Sequence, residues 1–253
     1  MLNEISLKNK TALITGGGTG IGLAIAEEMK DAGANVIIVG RRVGTLKEAV
    51  KKIGEGASYF QFDVKDIEKM PAFIKEIEEK SPIDILVNNA GINVKKPFFE
   101  FTLAEYEDVL KTHATASFML TQEVAKYMKE RRKGSIIMIT SLSILMGMKS
   151  LQPYSMAKAA LGALSRSLTA ELASFGIRVN SLNPGFTDTD MMRRTNLQNP
   201  ERHAEIQAIT PMQKYAAPKD LGMAAAFLAS DAAGFITGID LVVDGGISCS
   251  FSV

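Results

Sequence analysis

The stretch TALITGGGTGIGLAIAEEMKDAG, residues 11–33, determines the fold of this 253-residue chain. It begins with a short apolar run, TALIT (11–15), which predicts a β-strand. A glycine-rich turn follows, and then a segment with helical periodicity that Gly33 terminates. A strand that passes through a glycine turn directly into a helix is the first unit of a layered α/β fold.

The same alternation continues along the rest of the chain. Six more strands are predicted, at NVIIVG (35–40), ASYFQFDV (57–64), IDILVNNAG (83–91), GSIIMIT (134–140), IRVNSLNPG (177–185) and GIDLVVDGG (238–246). Helices are predicted between them, at 45–54, 67–80, about 103–132, 154–175 and 219–229. This spacing indicates right-handed crossovers and parallel strands, and continuously apolar strands indicate helices on both faces. We therefore predict a single doubly wound α/β domain over residues 1–253, with a mostly parallel sheet of about seven strands.

One segment breaks the alternation. Residues from about 186 to 218 are polar, contain two prolines and begin with the methionines Met191 and Met192. A connection of this length between a strand and the next helix is typical of an active-site lid. We therefore predict a substrate lid over about 186–218.

Composition excludes several classes of function. The net charge of +1 gives no reason to expect a nucleic acid or an anionic membrane as partner. No apolar run has the length of a membrane helix, and the first ten residues do not resemble a signal peptide. The single cysteine, Cys249, fits a reducing compartment, so we expect a cytoplasmic protein. The two histidines are far apart in the chain, so no protein metal site is expected.

Ligands of an open parallel sheet bind beyond the carboxyl ends of its strands. The turn after the first strand contains Gly16, Gly20 and Gly22, which would let the backbone approach a pyrophosphate at the positive end of the following helix. Its register is not G-x-G-x-x-G, so the prediction of nucleotide binding depends on the position of the turn. After the second strand come Arg41 and Arg42, where an NAD-selecting fold usually has an acid. A guanidinium binds a ribose 2′-phosphate, so NADP(H) is predicted, with NAD(H) as the alternative cofactor.

A second pattern carries acid–base chemistry. In YSMAK, Tyr154 and Lys158 lie one helical turn apart. A phenol with its ordinary pKa, about 10, is a poor base at neutral pH, and a neighbouring ammonium favours the phenolate. We therefore expect Lys158 to lower the pKa of Tyr154, so that the phenol exchanges a proton with a substrate. Ser141, at the end of the fifth strand, would hold a carbonyl oxygen in line.

Together these motifs resemble the short-chain dehydrogenase/reductase family over nearly the whole chain. They are TGGGTGIG (15–22), NNAG (88–91), Ser141, YSMAK (154–158), NPG (183–185) and VDGG (243–246). The resemblance implies a Rossmann fold and an oxidoreductase that interconverts a secondary alcohol and a ketone by hydride transfer. It makes Tyr154 the general acid/base, places Lys158 on the nicotinamide ribose and places Ser141 on the substrate oxygen.

The resemblance also implies a set of cofactor contacts. Asp63 would contact adenine, Asn89 the adenosine-side ribose or backbone, and Thr189 the nicotinamide amide. The implied cofactor-binding residues are Gly16, Thr19, Gly20, Ile21, Gly22, Arg41, Arg42, Asp63, Val64, Asn89, Ala90, Gly91, Tyr154, Lys158, Pro184, Gly185, Thr187 and Thr189. One catalytic position departs from the family, because His113 stands where an asparagine usually supports a water relay behind the lysine. A histidine there can still form hydrogen bonds, and it could add a titration near neutral pH.

The substrate is less determined by the sequence. The loop after the fourth strand resembles that of gluconate 5-dehydrogenase-like members, and Lys95 and Lys96 on it would meet the carboxylate of a sugar acid. Ser143 is expected to face the substrate, and Arg193 and Arg194 on the lid could serve the same carboxylate. Four methionines would also suit a 3-oxoacyl-thioester reductase or a general carbonyl reductase: Met146, Met148, Met191 and Met192.

Two further alternatives concern class and assembly. A non-catalytic NADP(H)-binding regulator would be expected to lose Tyr154 or Lys158, and both are present. In the family the two long helices pair between subunits, which implies a homotetramer, with a dimer as the alternative. The apolar residues on which we base this expectation are Leu161, Leu164, Leu168 and Leu172.

Overall fold

The computed structural model describes residues 5–190, 192, 193, 197 and 199–250. Its seven strands form one sheet in the order β3-β2-β1-β4-β5-β6-β7, and every pair of neighbours is parallel. The strands are β1 Thr11–Thr15, β2 Asn35–Gly40, β3 Ala57–Gln61, β4 Ile85–Asn88, β5 Gly134–Ile139, β6 Ile177–Pro184 and β7 Asp240–Val243. The predicted doubly wound sheet is confirmed, and it is parallel throughout.

Helices cover both faces of the sheet. They are α1 Gly20–Asp31, α2 Val43–Ile53, α3 Met70–Lys80, α4 Leu103–Leu110, α5 Ala116–Arg131, α6 Gln152–Leu172, α7 Pro200–Ile209 and α8 Pro218–Ala229. On one face, Ile25 of α1 and Leu221 of α8 pack against apolar strand residues such as Ile14. On the other face, Val124 of α5 and Leu161 of α6 pack in the second cluster. Burying each such side chain contributes roughly 1.5–3 kcal/mol to the stability of the fold, so the two cores hold the helices against the sheet.

The strands end earlier than predicted where their last residues are polar. β3 ends at Gln61 and β4 at Asn88, whereas the sequence predicts ends at 64 and 91. Residues 62–64 and 89–91 instead form loops at the carboxyl edge. The polar side chains that follow the ends of the strands therefore lie at this edge, outside the hydrogen-bonded sheet, and are available to a ligand.

The long helix predicted over 103–132 is not a regular α-helix. Five residues between α4 and α5, Lys111–Thr115, form a π-helical turn. Such turns insert an extra residue into the helix and occur often at functional sites. His113 is the middle residue of this turn, so the irregularity coincides with a predicted site residue.

The segment predicted as a polar lid contains a helix that the sequence analysis missed. Helix α7 begins after Asn199, whose Oδ1 accepts a hydrogen bond from the Arg202 N–H at 3.1 Å. Backbone hydrogen bonds join the two ends of the segment, because the Ala216 N–H donates to Phe186 O and the Asp188 N–H donates to Ala216 O, both at 2.9 Å. Met191 and Arg194 lie outside the described residues.

Within the described part of the chain, none of the helices has the length and apolar character needed to cross a membrane. The same residues contain no cluster of three or more His, Cys, Asp or Glu side chains that could hold a metal ion.

Candidate active site

Tyr154, Lys158 and Ser141 meet at the carboxyl edge of the sheet. Tyr154 and Lys158 lie one turn apart near the start of α6, with the Lys158 Nζ 5.7 Å from the centroid of the tyrosine ring. The Lys158 ammonium is 3% exposed and donates to the Ile139 carbonyl at 2.6 Å, which holds it against the end of β5. Ser141 follows β5, and its side chain lies near enough to the Tyr154 phenol to lower the pKa of that phenol. The structure therefore brings together the three residues on which the predicted chemistry depends.

The electrostatics of this group differ from the sequence expectation. Burial raises the pKa of Tyr154, and the Ser141 side chain opposes that shift only in part. Burial also lowers the pKa of Lys158 to about 7. The sequence analysis expected a lowered pKa for Tyr154, whereas its net shift is upward, because removal of water disfavours the charged form of both side chains. At neutral pH the phenol therefore keeps its proton, and burial disfavours the charged form of the lysine.

His113 is buried beside the tyrosine. Its ring is 1% exposed and meets the Tyr154 ring edge to face, with the ring centroids 5.4 Å apart. Its Nε2 lies 2.7 Å from Ile92 O and 3.0 Å from the Ile92 backbone nitrogen, while Nδ1 is buried without a hydrogen-bond partner among the described residues. Burial, followed by the charge of Lys158, lowers the pKa of His113 to about 3, against the opposing effect of Ile92 O. The suggested titration near neutral pH is therefore wrong, and the imidazole is neutral there.

The glycine-rich turn after β1 is joined to the end of β4. The Thr15 Oγ1 accepts hydrogen bonds from the backbone N–H groups of Asn89 and Ala90, each at 3.0 Å. The Asn89 side chain returns to the turn and donates to Thr15 O at 2.9 Å and Gly16 O at 3.2 Å. A Cβ at Gly22 would collide with the Asn89 amide and with the Gly16 carbonyl oxygen. Only glycine therefore lets the start of α1 approach this polar edge so closely.

This edge fits a nucleotide pyrophosphate. The N-cap residue of α1, Thr19, makes no side-chain capping hydrogen bond, and the first turn, which includes Ile21, contains no acidic residue. The free N–H groups and the positive end of the helix dipole are thus available to an anion. Gly20 lies in the left-handed region with φ +57°, and Thr189 lies across from it, with its Cγ2 3.5 Å from where a Cβ would stand.

The remaining predicted cofactor contacts follow β6 and β4. Pro184 ends β6, Gly185 follows it, and the buried Thr187 donates to Gly185 O at 3.1 Å. Gly91 packs so closely on the imidazole of His113 that it has no room for a Cβ. These residues therefore line the same edge as Tyr154, on its two sides.

Two arginines lie at the end of β2, where the sequence analysis predicts phosphate recognition. Arg41 and Arg42 are both exposed, and the first turn of α2 contains no acidic residue. Arg41 also approaches Asp63, with Nη1 3.9 Å from Oδ2, and Val64 follows that aspartate. The group combines an exposed positive charge with an acceptor, which fits the phosphate and adenine of an adenosine 2′-phosphate.

The predicted substrate residues do not behave alike. Lys96 forms an ion pair with Glu105, whose pKa falls to about 2 chiefly because of that hydrogen bond. The predicted contact of Lys96 with a substrate stays a prediction, and it would compete with this ion pair. Arg193 is likewise paired, with its Nε 2.8 Å from Asp188 Oδ1. Ser143, in contrast, is 7% exposed, and its hydroxyl lacks a hydrogen-bond partner among the described residues.

Lys95 remains as the cation of the loop after β4. It keeps contact with solvent, yet partial loss of water lowers its pKa, and the charge of Arg202 adds to that shift. Sequence reasoning missed Arg202 because it missed α7. The pair Asn199-Pro200 is an N-cap followed by proline at the first helical position, a signal that predicts a helix start there.

A concavity of about 510 Å³ opens at the opposite edge of the sheet from Tyr154. Three of its charged residues are engaged within the fold: the Lys10 Nζ lies 2.6 Å from Asp231 Oδ1, and Arg178 donates to the carbonyls of Ser230 and Ile236. In an open parallel sheet the ligand belongs at the carboxyl edge, so this concavity is not the active site.

Comparison with known proteins agrees with the site. A short-chain dehydrogenase/reductase group described as enoyl-(acyl carrier protein) reductase matches residues 16–248. The chain is 37% identical to 2-dehydro-3-deoxy-D-gluconate 5-dehydrogenase of Pseudoalteromonas atlantica over 97% of its length and 98% of that protein. It is 36% identical to 5-keto-D-gluconate 5-reductase of Escherichia coli over the same shares of the two chains.

A solved structure extends the likeness to three dimensions. The crystal structure of a gluconate 5-dehydrogenase from Burkholderia cenocepacia, in complex with NADP and tartrate, superimposes with a TM-score of 0.92 at 33% identity and covers 99% of each chain. The fold and these relatives define the class: the protein is an NAD(P)-dependent dehydrogenase/reductase acting on CH–OH groups. Within that class, the chain belongs to the short-chain dehydrogenase/reductase family.

Proposed function

We propose that this enzyme is an NADP(H)-dependent oxidoreductase that interconverts a secondary alcohol and a ketone on a sugar acid such as gluconate and 5-ketogluconate. The observation that carries the proposal is the convergence of Ser141, Tyr154 and Lys158 beside a glycine turn that suits a pyrophosphate. The relatives named for 5-keto-D-gluconate and for 2-dehydro-3-deoxy-D-gluconate support the choice of substrate class.

In the proposed reaction the protein handles the proton and the orientation of the substrate. Ser141 and Tyr154 both donate hydrogen bonds to the ketone oxygen and so place the carbonyl carbon at a fixed position. Because burial raises the pKa of Tyr154, the phenol holds its proton at neutral pH and donates it as negative charge develops on that oxygen. In the reverse direction the phenolate oxygen of Tyr154 accepts the proton of the alcohol. A bound nicotinamide supplies or accepts the hydride.

Lys158 would have two roles. Its Nζ is fixed by Ile139 O and faces the tyrosine ring, so its charge, when present, stabilises a phenolate. We also assign to Lys158 the binding of the nicotinamide ribose. The buried Nδ1 of His113 lacks a partner in the described structure and could hold a water that connects to this lysine.

The cofactor preference is proposed from the arginines at the end of β2. Arg41 and Arg42 are exposed beside a helix N-terminus without acids, which suits a 2′-phosphate. The Burkholderia structure contains NADP, which supports the same choice. The cofactor contacts carried over from the family, from Gly16 to Thr189, belong to this proposal. We also propose that the chain forms a single domain and that the segment over 186–218 acts as its substrate lid.

A second candidate substrate is a 3-oxoacyl thioester. The matching family group is described as enoyl-(acyl carrier protein) reductase, and Leu145, which follows the Ser141 segment, is an apolar residue that is 49% exposed. Leu145 lies four residues after Ser141, where an acyl chain would pass. A general carbonyl reductase would use the same apolar side chain.

Turnover assays with purified protein separate these substrates. The oxidation of NADPH and of NADH is followed with 5-ketogluconate, with an acetoacetyl thioester and with a simple cyclic ketone. We expect ketogluconate to be reduced with NADPH preferred. Reduction of the thioester or the cyclic ketone alone would reject the sugar-acid proposal and retain the oxidoreductase chemistry.

The substitution Tyr154→Phe tests whether the protein is a catalyst or a cofactor-binding regulator. We expect kcat to fall by about 10²–10⁴-fold, the usual contribution of a positioned acid or base, while NADPH affinity stays within threefold or so. Unchanged turnover in Tyr154→Phe would exclude the tyrosine as the acid/base group.

We further propose a homotetramer, but on different residues from those of the sequence analysis. Leu161 and Leu172 are buried, and Leu164 and Leu168 pack against the same internal cluster, so these four leucines serve the chain's own core. The exposed apolar residues on or next to α4, α5 and α6 are instead Phe98, Phe99, Leu103, Phe118 and Met156. Sedimentation velocity gives the assembly directly: a tetramer is expected, and Phe118→Asp should shift it to smaller species.

A further inference from the structure

Arg202, on the lid helix α7, has a charge that the described structure leaves unpaired. Its Nη1 is buried and has no hydrogen-bond partner among the described residues. Its guanidinium carbon lies 6.0 Å from the centroid of the Phe186 ring, over the aromatic face, at the outer limit of a cation–π contact. A guanidinium donates along its edges, and a buried donor without an acceptor costs free energy. This donor is therefore placed for an acceptor that the described side chains do not supply.

Lys95 is a second cation in the neighbourhood of Arg202. The charge of Arg202 contributes to the lowered pKa of Lys95, which means that the two positive groups lie close enough to repel each other. Two other cations of these segments are paired among the described residues, Lys96 with Glu105 and Arg193 with Asp188. Two mutually repelling cations, with these two others already paired, form a local positive site that an anion would relieve.

The placement of Arg202 depends on contacts at both ends of the lid. The Asn199 side chain caps α7 by accepting from the Arg202 N–H, and Phe186, under the guanidinium, accepts from the Ala216 N–H. Phe186 follows Pro184 and Gly185 at the end of β6, so Arg202 is held over the carboxyl edge of the sheet. Lys95 reaches that edge from the end of β4, four residues after Gly91. The two cations thus approach the proposed substrate space from the lid and from the opposite loop.

We propose that Arg202 and Lys95 form a carboxylate-binding subsite, in which the guanidinium fork of Arg202 takes the carboxylate of the sugar acid and selects acidic over neutral ketones. A planar carboxylate matches two parallel N–H donors of arginine, whereas lysine contributes a point charge. The identity of the carboxylate as part of a sugar-acid substrate rests on the proposed function. The binding of a carboxylate to this pair does not.

The kinetic test compares 5-ketogluconate with its neutral C1 amide, which has the same carbon chain and no charge. Arg202→Met should raise KM for 5-ketogluconate by about 10–100-fold, the range of a charge-assisted hydrogen bond, and change KM for the amide by less than about threefold. Arg202→Lys keeps the charge and loses the fork, so it should recover only part of the affinity. Lys214→Met removes an exposed cation of the same segment and serves as the matched control.

A binding measurement separates this inference from the proposed function. Calorimetric titration of tartrate into the NADP-loaded protein reports carboxylate binding without turnover. If no sugar acid is reduced but tartrate binds, and Arg202→Met weakens it at least tenfold, the subsite stands and the proposed substrate fails. If ketogluconate is reduced with equal KM by Arg202→Met and wild type, the function stands and the subsite is overturned. An equal loss in Lys214→Met, or no tartrate binding and no sugar-acid turnover in the wild type, also overturns it. Matching thermal midpoints of all variants exclude misfolding.

Discussion

Replacing Lys158 by methionine should stabilise the protein, and by an amount that depends on pH. The lysine is 3% exposed, and its pKa falls from 10.5 to about 7 because burial removes water from the ammonium. At ~1.4 kcal/mol per pKa unit, holding the charged form in the fold costs up to about 5 kcal/mol. Between pH 7 and 10.5 the unfolded lysine is protonated and the folded one is neutral. Folding then releases a proton, and wild-type stability rises with pH by ~1.4 kcal/mol per unit from this group alone. Methionine does not titrate.

The assay is urea unfolding of wild type and Lys158→Met at fixed protein concentration, without cofactor, at several values between pH 6 and pH 9.5. The advantage of the variant in free energy of unfolding should be greatest at pH 7 and below, and it should shrink by about 3 kcal/mol by pH 9.5. Lys214→Met, at an exposed position, should show a difference that does not change with pH. A constant difference for Lys158→Met across this range would refute the assignment of a lowered pKa to burial. Activity should be lost in the same variant.

Three further predictions concern the edge around the site. Gly91→Ala should destabilise the fold by about 1–3 kcal/mol, because its Cβ would overlap the His113 ring, whereas Gly147→Ala, in open space, should leave the thermal midpoint unchanged. The imidazole proton signals of His113 in NMR spectra should not shift between pH 5 and 8, since its pKa is about 3; a midpoint near 6.5 would contradict the buried neutral ring. Replacing Arg41 and Arg42 together by alanine should raise KM for NADPH at least about tenfold and leave KM for NADH within about threefold, and equal effects on both cofactors would exclude 2′-phosphate recognition.

The sheet could be predicted because its signal is local. Strands such as β1 and β2 are continuously apolar and bounded by glycine, and the buried positions match the predicted runs. The order of motifs along the chain also placed Ser141, Tyr154 and Lys158 at the same edge, since the carboxyl ends of parallel strands share one edge. The contacts of these three residues follow directly from that topology.

The parts that could not be predicted depend on contacts between distant segments. Lys95 and Lys96 are adjacent in sequence, and only the position of Glu105 on α4 decides which of them is neutralised. The π-helical turn at His113 adds one residue to a turn of an otherwise helical segment, and the apolar periodicity of the sequence does not reveal such an insertion. The helix carrying Arg202 has a polar face and only Ile206 buried, so its apolar periodicity is weak. Its capping pair was the available signal.

The pKa of Tyr154 is the most informative of these differences, because it separates what the fold supplies from what the charge of Lys158 supplies. The fold alone keeps the phenol protonated, which is the state that reduction of a ketone consumes. Oxidation of an alcohol requires a phenolate, and its stabilisation by Lys158 is fully present only below about pH 7, where the lysine is charged. Higher pH promotes loss of the phenol proton but discharges the lysine. The two requirements oppose each other in the protein itself, so a base at Tyr154 needs a further positive charge close to its oxygen. If the proposed function holds, the cationic ring of a bound oxidised nicotinamide would meet that need and a reduced ring would not. The same tyrosine would thus act as acid or base according to the charge of its neighbour.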